Sequence, residues 1–233
     1  MSGKETVLRR LKRFIENKFA HLLAVLLVFF LFTPFIEHSV REFPIVSLIF
    51  LCAVLITLRV MLLPRHIFRF SVIISVSAFL LDFLLEKGVV PCFRGPLTII
   101  TAAIYALFMV MAIVIIMKSL FATSRVTVDT ILGGICVYFL IGYVWSLSYY
   151  VIWFCDRAAF SRLAMSSSPI SFFYFSFTTL TTTGYGDIYP TNNFAMMMAN
   201  LESIVGQMYL TIFVARLVGL HITHGYNKGC ANL

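Results

Sequence analysis

Charge is scarce in this sequence. Only 12% of its 233 residues are Asp, Glu, Lys or Arg, and just ten of those are acidic. Soluble domains carry roughly 25% charge, so an ordinary soluble domain of this size is excluded. Cysteine is equally uninformative as a ligand. Cys52, Cys92, Cys136, Cys155 and Cys230 lie in or beside apolar runs without metal-ligand spacing. They read as small apolar residues, and disulfides are not expected. No nucleophile–base pair stands out, which disfavours an enzyme. No small-residue cleavage site follows the first apolar run, so that run is expected to stay as a helix. What the chain has in quantity is hydrophobic side chains, 61% of residues, with 24 phenylalanines. The composition is that of an integral membrane protein. The formal charge of +8 does not point to nucleic acid, because the basic residues cluster between the apolar runs, where they orient a chain in a bilayer.

Residues 1–18 hold Lys4, Arg9, Arg10, Lys12, Arg13 and Lys18, with Leu8, Leu11, Ile15 and Phe19 at helical spacing. This basic segment is either an amphipathic helix on the inner leaflet, in contact with anionic lipid, or a solvated anchor. Apolar spans then follow at about Phe19–Phe32, ending near Pro34, and at Pro44–Leu63, Ile67–Leu85, Leu97–Met117, Asp129–Trp153 and Phe194–Ile222. A bilayer core needs about 20 residues. The first span is marginal unless His21 and Thr33 are included. Pro91 and Pro96 are expected to break the chain before the fourth span.

Six spans place thirteen of the eighteen Lys and Arg residues on the side of both termini. By the positive-inside rule that side is the cytoplasm. The fourth span, Leu97–Met117, contains no charged residue. Voltage sensors need arginines there, because charge must move through the field to do work. Asp82 and Glu86 in the third span therefore have no ladder to pair with, and residues 19–117 read as a four-helix scaffold without gating charge.

One stretch is polar and glycine-bearing amid the apolar runs: Thr178-Thr179-Leu180-Thr181-Thr182-Thr183-Gly184-Tyr185-Gly186-Asp187. Carbonyls face one side together only where the backbone alternates between right- and left-handed dihedrals, and Gly184 and Gly186 take the left-handed steps without a Cβ penalty. The carbonyls of Thr182, Thr183, Gly184 and Tyr185, with the Thr182 hydroxyl, are then placed to form stacked oxygen cages for a bare monovalent cation.

This stretch resembles the selectivity filter of potassium channels, with Thr183 where many members carry valine; a Thr-Thr-Gly-Tyr-Gly filter also occurs in plant Shaker-type channels. Residues 126–150 and 174–219 are similar to bacterial two-helix-pore channels, notably at Gly133-Gly134-Ile135-Cys136-Val137-Tyr138, Gly206-Gln207-Met208-Tyr209-Leu210 and Val214–Gly219. The resemblance implies an all-α membrane protein of six transmembrane helices plus a re-entrant pore helix and filter, working as a homotetramer, since one filter copy cannot close a pore. It implies K+ at Thr182, Thr183, Gly184 and Tyr185, the Thr183 side chain behind the filter, and Asp187 at the outer mouth. K+ is the permeant ion, and no cofactor is implied.

In the pore half, residues 118–130 read as a linker helix, 131–222 as the pore domain and 223–233 as a short cytoplasmic tail. Residues 154–168, with Asp156, Arg157 and Arg162, form a polar turret. Ser168-Pro169 starts a pore helix over 169–181. Its C-terminal end is expected to stabilise a cation in the cavity, and Phe172, Phe173, Tyr174, Phe175 and Phe177 to pack as a cuff around the filter. Gly206 is a hinge of the inner helix or a close-packing site. Gln207, Leu210, Val214 and Val218 share one helical face and are expected to line the cavity. Glu202 is expected behind the filter, protonated or bonded to the pore helix. Arg216 is expected to snorkel or bind lipid phosphate; His221 and His224 are pH sensors or loose interfacial histidines.

The function expected is passive potassium conduction with little voltage dependence in a prokaryotic inner membrane. The alternatives are a weakly selective cation channel and a non-conducting structural subunit.

Overall fold

The computed structural model describes residues 18–39, 69, 72–74, 76–81, 94–123, 126–161 and 169–230. The basic segment 1–17, the second span, Asp82, Glu86, Arg162 and Ser168 lie outside the described residues, as does about half of the third span; its described residues, 69, 72–74 and 76–81, are helical. Five named helices run in order: α1 (Lys18–Ser39), α2 (Arg94–Ala122), α3 (Val128–Cys155), α4 (Pro169–Leu180) and α5 (Asn193–Cys230). Among the described residues three are long and apolar enough to cross a membrane, at Gly95–Ala122, Val128–Cys155 and Asn193–Ile222.

Helix bounds depart from the sequence reading in four places. Pro34 does not end α1, which runs to Ser39; a proline removes one donor, and helices between membrane partners tolerate that. At 22 residues the helix is about 33 Å long, but its apolar part, Phe19–Phe32, is shorter than a membrane span. Pro96 falls inside α2, in its first turn, where a missing N–H costs nothing. No separate linker helix follows. Instead α2 continues through Lys118–Ala122, with Leu120 buried against α1 and α3. Thr127 caps α3. Its hydroxyl accepts from Thr130 N (3.2 Å), and the Thr130 hydroxyl accepts from Thr127 N (3.4 Å). The tail is likewise mostly helix, since α5 continues to Cys230.

The hairpin of α2 and α3 forms one wall, and α1 lies along α3. Two helix starts meet at Asp129: it occupies the first turn of α3 and accepts from the Phe19 N–H at 3.1 Å, at the head of α1. An anion is favoured at both positive ends. Further along, the Tyr143 hydroxyl donates to the Leu26 carbonyl at 3.0 Å. The main core holds Leu22, Leu26, Ile116, Cys136, Val137 and Tyr143. A second cluster joins Tyr149, Phe160, Phe172, Phe175, Ile188 and Ala195. It sits between α3, α4 and the segment that follows the filter stretch.

Candidate functional site: the 181–187 segment and its supports

Helix α4 is only 12 residues long, and its far end runs directly into the polar stretch. The Thr183 and Gly184 N–H groups both donate to the Thr178 carbonyl, at 2.8 and 3.1 Å, and Thr182 N–H donates to Thr179 O at 2.9 Å. In a trans peptide the carbonyl of residue i opposes the N–H of residue i+1. Three consecutive N–H groups turned back onto α4 therefore turn the carbonyls of Thr181, Thr182 and Thr183 away from it.

The dihedrals alternate as such an arrangement requires. Gly184 and Gly186 have φ of +52° and +80°, and Thr182 has φ of +56°. The sequence reading assigned left-handed steps to the two glycines; the third falls on a threonine, which carries a steric cost. Nothing of its own chain lies within 4 Å of a Cβ built at Gly184 or Gly186. Dihedral angle, not space, makes these positions glycine. The Thr183 hydroxyl lies 2.9 Å from that of Thr181, which donates to Phe177 O at 2.7 Å. The Thr183 side chain is thus tied back toward α4.

All four last carbonyls of α4 are engaged. Phe177 O receives Thr181, Thr178 O and Thr179 O receive the filter amides, Ser203 also donates to Thr179 O (3.2 Å), and Tyr138 donates to Leu180 O (3.3 Å). The helix end carries negative potential toward the segment while its orphan acceptors are satisfied.

The aromatic residues of α4 do not form a single cuff. Only Tyr174 reaches the filter, its ring parallel to that of Tyr185 (4° between planes, 6.2 Å between centroids). Phe173 and Phe177 turn to Phe29, Phe30, Phe139 and Tyr143. Phe172 and Phe175 turn to Phe160 and Tyr149. A helix places consecutive side chains about 100° apart, so five aromatics in six residues must anchor α4 on several sides.

Beyond Gly186 the chain is stapled to the start of the turret. Ser161 N–H donates to Tyr189 O and Thr191 N–H to Ala159 O, each at 2.9 Å. The Asp156 carboxylate accepts from Asn192 Nδ2 at 2.8 Å, and Thr191 Oγ1 bonds to Ala158 O. Arg157 stacks on Trp153 at 3.6 Å. Sequence gave no sign of this pairing, which joins two loops 30 residues apart.

Helix α5 presents three faces. Glu202, Gly206, Tyr209 and Phe213 pack on α3 and α4; the Tyr209 hydroxyl donates to Gly134 O at 2.7 Å. Gln207, Leu210, Val214 and Val218 lie on a second, exposed face. Gln207 Nε2 is 3.5 Å from the Thr182 hydroxyl, directly beneath the filter segment. Leu201, Ile204, Met208 and Ile212 form a third, also exposed. Gly206 falls at a close contact with Leu180, and α5 passes through it unbroken.

Glu202 is fully buried. Its Oε2 accepts from the Tyr149 hydroxyl at 2.6 Å, and Oε1 lies 2.6 Å from Ser176 Oγ. Sequence placed this carboxyl behind the filter against the pore helix, but not its tyrosine partner on α3. The Arg216 guanidinium donates to Phe121 O (2.9 Å) and Thr123 O (3.2 Å) and stacks on Phe121. It closes the C-terminal end of α2. His221 is exposed.

Residues 126–221 match the family model described as "Ion channel". The match spans less than half of the chain and takes in α3, α4, the filter segment and most of α5. It supports an ion channel, a membrane transport protein and not an enzyme. No curated protein and no solved structure matches the chain.

Proposed function

We propose that this chain is the subunit of a homotetrameric, potassium-selective channel that conducts passively, with K+ held by Thr182, Thr183, Gly184 and Tyr185. The observation that carries the reading is the run of left-handed residues at 182, 184 and 186 combined with the amides of 182–184 turned onto α4. Carbonyls projected to one side replace the water shell of a dehydrated cation. A single copy offers one wall of such a cage, so four around an axis are required. The 11% burial of the most apolar stretch of α5 suits a helix that meets other subunits on one face and a wet cavity on another.

An ion entering from the Gln207 side meets the negative end of α4 before it meets the carbonyls. Asp187 then stands at the outer mouth. Both termini are assigned to the cytoplasm, on the distribution of Lys and Arg. Liposomes loaded with K+ and containing the pure protein should take up a tracer potassium isotope against a K+ gradient. An equal response to a Na+ gradient would defeat the reading.

A further inference from the structure

Glu202 is the one carboxyl among the described residues that is buried behind the filter segment, and conduction as described makes no use of it. The groups facing its two oxygens are hydroxyls rather than cations: Tyr149 from α3 and Ser176 from α4. Ser176 Oγ also lies 2.8 Å from the Gly142 carbonyl. A serine hydroxyl has one proton and two lone pairs. Its proton can go to Gly142 O or to Glu202 Oε1, yet both contacts are short. If Ser176 donates to Gly142, whose carbonyl cannot donate, the 2.6 Å contact is a hydrogen bond only if Glu202 supplies the proton. A protonated carboxyl group has one O–H donor and keeps acceptor capacity for Tyr149. The chain Tyr149 → Glu202 → Ser176 → Gly142 O then has every donor matched to an acceptor. It leaves no bare charge at membrane depth, where one is costly.

The consequence reaches the filter. Ser176 is two residues before Thr178, whose carbonyl receives the amides of Thr183 and Gly184. On a helix of three turns, fixing Ser176 fixes Thr178. We propose that Glu202 is a positioning residue for ion selection, acting as a neutral acid that bolts the pore helix to α3 and α5 behind the filter. This rests on the potassium-channel reading of the same site.

The test compares E202Q, E202A and E202D in bilayers, reading the K+/Na+ permeability ratio from reversal potentials. Glutamine keeps one donor and one acceptor in the right places, so E202Q should stay within about twofold of the parent. Alanine leaves the buried Tyr149 hydroxyl without an acceptor and cuts the link between α5 and Ser176, and E202A and E202D should lose about tenfold or more in the ratio. Y149F, which removes one bond, and S176A, which removes two, serve if E202A does not assemble, and each should lower the ratio. Infrared difference spectra of parent against E202Q in membranes at neutral pH should show a protonated-carboxyl band lost on substitution. Loss of an ionised-carboxylate band instead, or E202Q as impaired as E202A, overturns the proposal. A selective parent whose E202A, Y149F and S176A variants are equally selective overturns this inference alone. A parent that does not discriminate overturns the potassium reading and the inference with it.

Discussion

Gly206 of α5 lies against the Leu180 carbonyl at the end of α4, so closely that a Cβ at 206 would stand 2.5 Å from that oxygen. The contact is with backbone, which cannot rotate aside. Gly206→Ala should therefore push α5 off α4, at a cost of about 1–3 kcal/mol per subunit. Gly219 lies on the same helix with nothing of its own chain within 4 Å of a built Cβ. Gly219→Ala should be neutral or stabilise by about 1 kcal/mol, the helix preference of alanine. Thermal unfolding of the two variants in detergent checks the pair. Equal melting temperatures would show that the 206 contact does not hold the helices.

At the filter the expected penalty has a different origin. Gly186 has φ of +80° and open space around it, so alanine meets no clash and costs only its left-handed dihedral, roughly 1–2 kcal/mol. Four copies multiply the strain. Gly186→Ala and Gly184→Ala should assemble like the parent but lose potassium selectivity. Unchanged permeability ratios in either would remove the segment from the filter role.

The left-handed steps at 184 and 186 were legible in the sequence because they are demanded locally: glycines there permit what other residues resist. The pore-helix start at Pro169 was readable for the same reason, a fixed φ at the first helical position. Thr182 was not, because a threonine at φ of +56° is imposed by the bonds of its neighbours to α4 rather than by its own preference. Pro34 and Pro96 misled in the other direction, since local proline rules yield to neighbouring helices. The partners of Glu202, Arg216 and Phe160 come from positions 15 to 95 residues distant, and nothing in one sequence announces such pairs. The linker helix was misplaced because apolar burial of Leu120 extends α2 where charge at Lys118 suggested an end.

Voltage should move the channel little. Between Gly95 and Met117, α2 carries no charged side chain, and each charge crossing the field is worth about 2.3 kcal/mol per 100 mV. Open probability should vary shallowly with potential. Gating currents of several charges per subunit would contradict this.

Cavity access follows from the rotation of α5, which Tyr209 and Gly206 fix by packing inward. Cysteines at 207, 210, 214 and 218 should react with membrane-impermeant thiol reagents from the cytoplasmic side, and cysteine at 209 should not. Gln207→Glu should strengthen block by internal quaternary ammonium ions, because four carboxylates focus negative potential in a low-dielectric cavity. Reaction at 208, 209 and 212 with silence at the other four would mean the helix is turned the other way.

The central claim is selection of potassium by the 182–186 segment, and a bi-ionic reversal potential tests it most directly. With the purified protein in a planar bilayer, K+ on one side and Na+ on the other, current should reverse far from zero, on the side set by K+ permeation. A reversal potential at zero, from a protein that conducts, would contradict the account.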